Sequence, residues 1–115
     1  MYRHEPCNWK KIRYRKPVSA QNLREAVIVL RSLVPLPHPY KLIRTKMEDA
    51  WGSCSFKPDP PRFIIRIAKG ITEDQAIDTL MHEWSHARAW LEQTLDHSAY
   101  WGVAFSECYQ ALYEE

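Results

Sequence analysis

The sequence has few cysteines and none at metal-ligand spacing. Cys7, Cys54 and Cys108 are odd in number and far apart. No Cys-x-x-Cys pair occurs, so a zinc ribbon is not indicated, and the count does not suit a secreted disulfide framework. Free thiols in a reducing compartment fit best. Long apolar runs are lacking too. The longest clean one is Ala26 to Leu30, against roughly 20 residues for a membrane-spanning helix. The opening residues, Met1 to Cys7, are polar and lack the apolar stretch of a secretory leader. There is no internal repeat and no low-complexity tract. These absences point to a soluble, cytoplasmic protein with no membrane partner.

What is present suits one folded domain. The chain has 115 residues, 45% hydrophobic and 26% charged, ordinary for a soluble globular protein. The net charge of +2 hides an asymmetry. Residues 1–46 carry eleven Lys/Arg and two Glu, a net +9, whereas residues 47–115 carry five Lys/Arg and twelve Asp/Glu, a net −7. Such a split marks either a surface for nucleic acid or two halves that fold against each other.

Periodicity divides the chain into helices and short strands. Leu23, Val27, Leu30 and Val34 recur at helical spacing and predict a helix over 19–34. Asn22 with Glu25 forms a capping box, with Ser19 as a competing cap. The prolines at 35, 37 and 39 stop it. Strands are expected over 41–46, 51–56 and 62–68, with 57–61 as a loop. Thr72 and Gln75 make a second capping box, and Glu73 and Asp74 favour the helix dipole. Ile77, Leu80, Met81, Trp84, Ala87 and Leu91 then form an apolar stripe, predicting a helix over 73–92. A last helix is expected over 98–113, with Trp101, Phe105, Cys108 and Leu112 inward. The order implies an α+β fold, a short antiparallel sheet with helices packed on one side.

The stretch Met81-His82-Glu83-Trp84-Ser85-His86 carries the chemistry. Residues four apart on a helix lie one turn above each other, so His82 and His86 can share one metal ion. Glu83 is rotated about 100° from His82, off the ligand face but within reach of water on the metal. Two ligands and a base are the content of His-Glu-x-x-His. Read singly, each histidine is an ordinary surface or core residue; the spacing and the capped helix favour zinc. A catalytic zinc takes three protein ligands. His97 is the best third candidate, with Asp96 and Glu92 as alternatives; Asp96 also suits a supporting or capping role. Cys54 is a soft donor that would close the site and make it structural. His4 and His38 read as surface residues, and Trp84, Trp90 and Trp101 as core.

Trp51-Gly-Ser-Cys-Ser55, the Ile-rich strand, His82-Glu-Trp-Ser-His86 and Asp96-His-Ser-Ala-Tyr-Trp101 stand in an order that resembles the SprT-like and YgjP-like zincin metallopeptidases. The resemblance covers about residues 40–112. It implies a single zincin-like metallopeptidase domain over 19–115, preceded by a basic arm over 1–18. It implies that His82, His86 and His97 bind zinc (Zn2+) and that Glu83 is the catalytic general base. The strand ahead of the motif departs from the pattern, with no asparagine or serine beside Arg66.

The expected activity is zinc-dependent hydrolysis of a protein or peptide substrate, Glu83 activating a zinc-bound water. Tyr100, Tyr109 and Arg66 are the candidate donors to the oxyanion. The strand 62–68 is the candidate for edge pairing with an extended peptide. Two other functions compete. One is a nucleic-acid-associated SprT-like protein using its basic N-terminal half, where Trp9, Tyr14 and Tyr40 interleave with Lys and Arg. The other is a structural zinc domain without turnover.

Overall fold

The computed structural model describes residues 20–90 and 99–113. The basic arm, His4, Cys7, Ser19, Leu91, Glu92, Asp96 and His97 lie outside that set.

Helix α1 spans Leu23–Leu33, and Asn22 caps it. Asn22 Oδ1 accepts the Glu25 N–H at 2.9 Å. Glu25 Oε1 reaches one residue further than a standard box and accepts the Gln21 N–H at 2.9 Å. Val34 N–H closes the last turn on Leu30 O at 2.7 Å, and the prolines beyond cannot continue it. Helix α2 spans Glu73–Arg88, and its capping box is complete, Thr72 and Gln75 satisfying each other's backbone N–H. Such a cap contributes about 1 kcal/mol. Helix α3 spans Ala99–Tyr113.

The strands are β1 (Tyr40–Thr45), β2 (Gly52–Pro58) and β3 (Pro61–Ala68), ordered β1-β3-β2. The fold is α+β as expected, but the sheet is mixed, not antiparallel. β2 and β3 form an antiparallel hairpin, whereas β1 runs parallel to β3. The connection through residues 46–51 explains this. It crosses the two strand spacings between the sheet's edges, roughly 10 Å, and leaves the centre for β3. Short loops seen in sequence do not reveal that skip.

Phe63, Ile65 and Ile67 on β3 are fully buried and meet Ile77, Leu80, Met81 and Trp84 of α2 in one core. Burial of side chains of this size stabilises by about 2 kcal/mol each. α2 lies on β2 and β3, while α1 and α3 pack on α2 and on each other, so the helices share one side of the sheet. Trp84 Nε1 donates to Val34 O at 2.7 Å, and Leu23 N–H donates to Glu73 Oε2 at 2.9 Å, fixing both ends of α1 to α2. Among the described residues, no helix is long and apolar enough to cross a membrane.

The apolar stripe understates α2. Every residue from Ala76 to Ala87 is buried, because the sheet, α1 and α3 surround the helix. A helix enclosed on all sides is normally apolar throughout. This one carries Asp78, Thr79, His82, Glu83, Ser85 and His86 inside. Buried polar groups, unlike exposed apolar ones, require a reason.

Candidate metal centre

Two of those polar groups are satisfied within the helix. Thr79 Oγ1 donates to Gln75 O at 2.7 Å and Ser85 Oγ to Met81 O at 2.6 Å. The remaining four, Asp78, His82, Glu83 and His86, are titratable and sit within nine residues. Helical spacing puts Asp78, His82 and His86 in one column, and turns Glu83 away from it.

His82 and His86 are 1% and 0% exposed. Their ring centroids lie 6.2 Å apart with planes at 65°. Two imidazoles on one tetrahedral zinc, with bonds of ~2.0–2.1 Å, have centroids roughly 5 Å apart. The pair is therefore about 1 Å wider than a loaded site, a gap that small ring rotations close. Paired nitrogen donors with a neighbouring carboxylate suit zinc chemically, so His82 and His86 fit as two of its ligands. His97, the expected third, lies outside the described residues. Among the described residues, no group of three or more His, Cys, Asp or Glu is gathered closely enough to hold a metal ion. Cys54 accordingly does not complete a closed set with the two imidazoles.

α3 roofs the pair with aromatic rings. The Trp101 ring lies 4.8 Å from that of His82 and 5.6 Å from that of His86. Trp101 Nε1 donates to His82 O at 3.2 Å, which locks the roof to the motif's own backbone. Phe105 stacks on Trp101 at 4.9 Å and meets His82 edge-on at 5.7 Å. Trp101 is thus a core residue that also contacts both imidazoles. Its place at the head of the inner stripe of α3 was the available signal.

Glu83 is 1% exposed and faces β2. A Cβ on Gly52 would stand 2.6 Å from Thr79 Cγ2 and 3.0 Å from both Glu83 Cγ and Arg66 O. Glycine at this point of the Trp51–Ser55 stretch therefore lets the strand approach α2 beside the carboxylate. Cys54, two residues on, is fully buried. Burial, and then the negative charge of Glu83, hold its thiol well above the usual range, so it is a neutral thiol. Cys108 is pushed up to about 12, chiefly by burial, and its Sγ lies 3.6 Å from Ser85 Oγ.

Asp78 was not singled out in the sequence. It is 6% exposed, and its Oδ2 has no hydrogen-bond partner among the described residues. Burial raises its carboxyl from 3.8 to about 6.

Three expectations change. Alternation along β3 turns Phe63, Ile65 and Ile67 to α2, so Arg66 faces away from the histidines. Its side chain instead lines a groove with Lys46, Glu48, Asp49 and Ser53, which removes it as an oxyanion donor. Of the other candidates, Tyr100 is 58% exposed and Tyr109 stacks on Tyr113 at 4.9 Å. β3 is the central strand, so it has no free edge for a peptide. His38 is not a bare surface residue: its ring lies 5.5 Å from Phe56 and 5.8 Å from Phe63, in a cluster that Trp90 joins.

No protein-family model, no curated protein and no solved structure matches this chain.

Proposed function

We propose that the protein is a zinc-dependent metallopeptidase. The observation that carries this reading is the burial of His82, Glu83 and His86 in the central helix, with the two imidazoles paired under Trp101 and the carboxylate turned to β2. His82 and His86 hold the ion, and His97 is the third ligand by resemblance. Zinc bound there supplies Lewis acidity, polarising a peptide carbonyl and acidifying water.

The chain's own residues do the rest. Glu83 takes a proton from the attacking water and returns it to the leaving amine. Gly52 sets the depth of that carboxylate by letting β2 lie against it. Trp101 and Phe105 hold the rings and exclude water on one side, which strengthens charge interactions inside. An extended substrate would add to a sheet edge. With β3 central, β2 is the edge beside Glu83, and its antiparallel course leads past the carboxylate. The free buried thiols Cys54 and Cys108 suit a reducing, cytoplasmic compartment.

The test is hydrolysis of an unstructured protein substrate by the zinc-loaded full chain and by Glu83→Gln. General-base catalysis contributes about 10²–10⁴-fold, and a loss of that size with zinc retained is expected. Equal turnover by both proteins would refute the proposal.

A further inference from the structure

The sheet has a second edge, and it is built differently from β2. Phe63 N–H donates to Pro39 O and Lys69 N–H to Thr45 O, both at 2.9 Å. These bonds frame the parallel ladder and set its parity. Residues 41, 43 and 45 face β3, so Leu42 and Arg44 turn their N–H and C=O groups outward. No described strand pairs with them.

The same two residues line a groove of about 640 Å³ between β1 and α1. Val27, Ile28 and Leu42 form its apolar floor, and Arg24, Arg31 and Arg44 its charged rim. Ile28 is 46% exposed, a large aliphatic left uncovered. Glu73 is the one carboxylate among its described lining residues, and its Oε2 already accepts the Leu23 N–H. Arg44 is held in place, donating to Ala68 O at 3.1 Å.

An open strand edge is a template for another strand. Here it lies beside aliphatic surface and three guanidiniums, which pair with carboxylates. We propose that the β1 edge and this groove take an extended acidic peptide segment of another protein, added to the sheet as a fourth strand. Every second side chain of the segment turns toward α1; the aliphatic ones among these meet the floor, and the acidic ones meet Arg24 and Arg31.

Two other occupants fit less well. A second copy paired antiparallel on this edge would bring its own Arg24, Arg31 and Arg44 to the same seam, and like charges brought together destabilise a strand pair. Single-stranded nucleic acid binds through aromatic stacking platforms, and none of the groove's described lining residues is aromatic. The proposal does not depend on the metal site.

The test uses the full chain and a fluorescent peptide in which every second residue is in turn Val and Glu, with Ser between them, so that one face of the strand carries both, read by anisotropy. The expected result is saturable binding that weakens with added salt. Arg24→Glu with Arg31→Glu, both exposed positions of α1, should lower the affinity at least about tenfold. N-methylation of every second peptide residue, in the frame facing β1, removes the strand bonds without touching the protein's fold. It should also cost about tenfold or more. Equal binding of the same peptide with Lys in place of Glu would overturn the proposal, as would full affinity after N-methylation in both frames. So would an oligonucleotide that outcompetes the peptide, or self-association of the chain that the peptide abolishes.

Discussion

Gly52→Ala probes the contact that sets Glu83 against the sheet. The added methyl would lie 2.6 Å from Thr79 Cγ2 and 3.0 Å from Arg66 O and Glu83 Cγ. Carbon atoms at rest are about 3.5–4.0 Å apart, so the overlap with Thr79 is about 1 Å. The Arg66 oxygen is backbone in the central strand and cannot yield. The Glu83 methylene can, and its carboxylate would move with it. Overpacking of this kind costs about 1–3 kcal/mol. Alanine returns about 0.4–1 kcal/mol by restricting the unfolded chain, because Gly52 is not among the positive-φ glycines. The net expectation is a loss of about 1–2 kcal/mol, read as a lower urea midpoint at unchanged slope. Thr79→Ser removes the offending Cγ2 and keeps the hydroxyl that bonds Gln75 O. In the double variant the clash shrinks, and a coupling of about 1 kcal/mol should appear. A Gly52→Ala protein within about 0.5 kcal/mol of wild type, or a double variant equal to the sum of the singles, would refute the close-approach argument.

The buried carboxyl and the buried thiols yield two more tests. Asp78 has its folded pKa raised from 3.8 to about 6, so the native state binds more protons than the unfolded one between those values. Its stability contribution is therefore lost as pH rises through that window. The rise corresponds to a penalty of about 3 kcal/mol above pH 6, and Asp78→Asn should relieve it. Urea titrations should find the variant's advantage near zero below pH 4 and growing up to pH 7; an advantage independent of pH would contradict the assignment. Cys54 and Cys108 are buried with raised pKa values. In a Cys7→Ser background, both should resist a disulfide reagent at pH 8 until denaturant is added; rapid native labelling of either would show that its burial is wrong.

Local signals in the sequence were sufficient wherever the physics is local. Asn22 and Thr72 mark helix starts because a cap needs one side chain and the N–H groups two or three residues on. The Ile-rich run reads as a strand, and the two histidines of His-Glu-x-x-His read as one helical face, for the same reason. The sheet order was not legible, because the link at 46–51 can lead to either neighbour of β3. Placing β3 in the centre then cancelled the edge-pairing role expected for it, and alternation along it turned Arg66 from the site. The depth of α2 was hidden as well. Its stripe predicts one buried face, but α1 and α3 bury the others, which is why Asp78 passed unnoticed. Gly52 reads only as a motif letter until the strand and helix meet. His38 looked exposed because its cluster joins Phe56 of β2, Phe63 of β3 and Trp90 just past the end of α2.

On the proposed reading, His82 and His86 share one zinc ion while Glu83 acts on water beside it. Zinc content after equilibrium dialysis, measured on wild type, His82→Ala, His86→Ala, His97→Ala and Glu83→Gln, tests it most directly. One zinc per chain is expected in wild type and Glu83→Gln, with much of the metal lost in each histidine variant. Zinc absent from the wild type, or retained equally when either His82 or His86 is replaced, would contradict it.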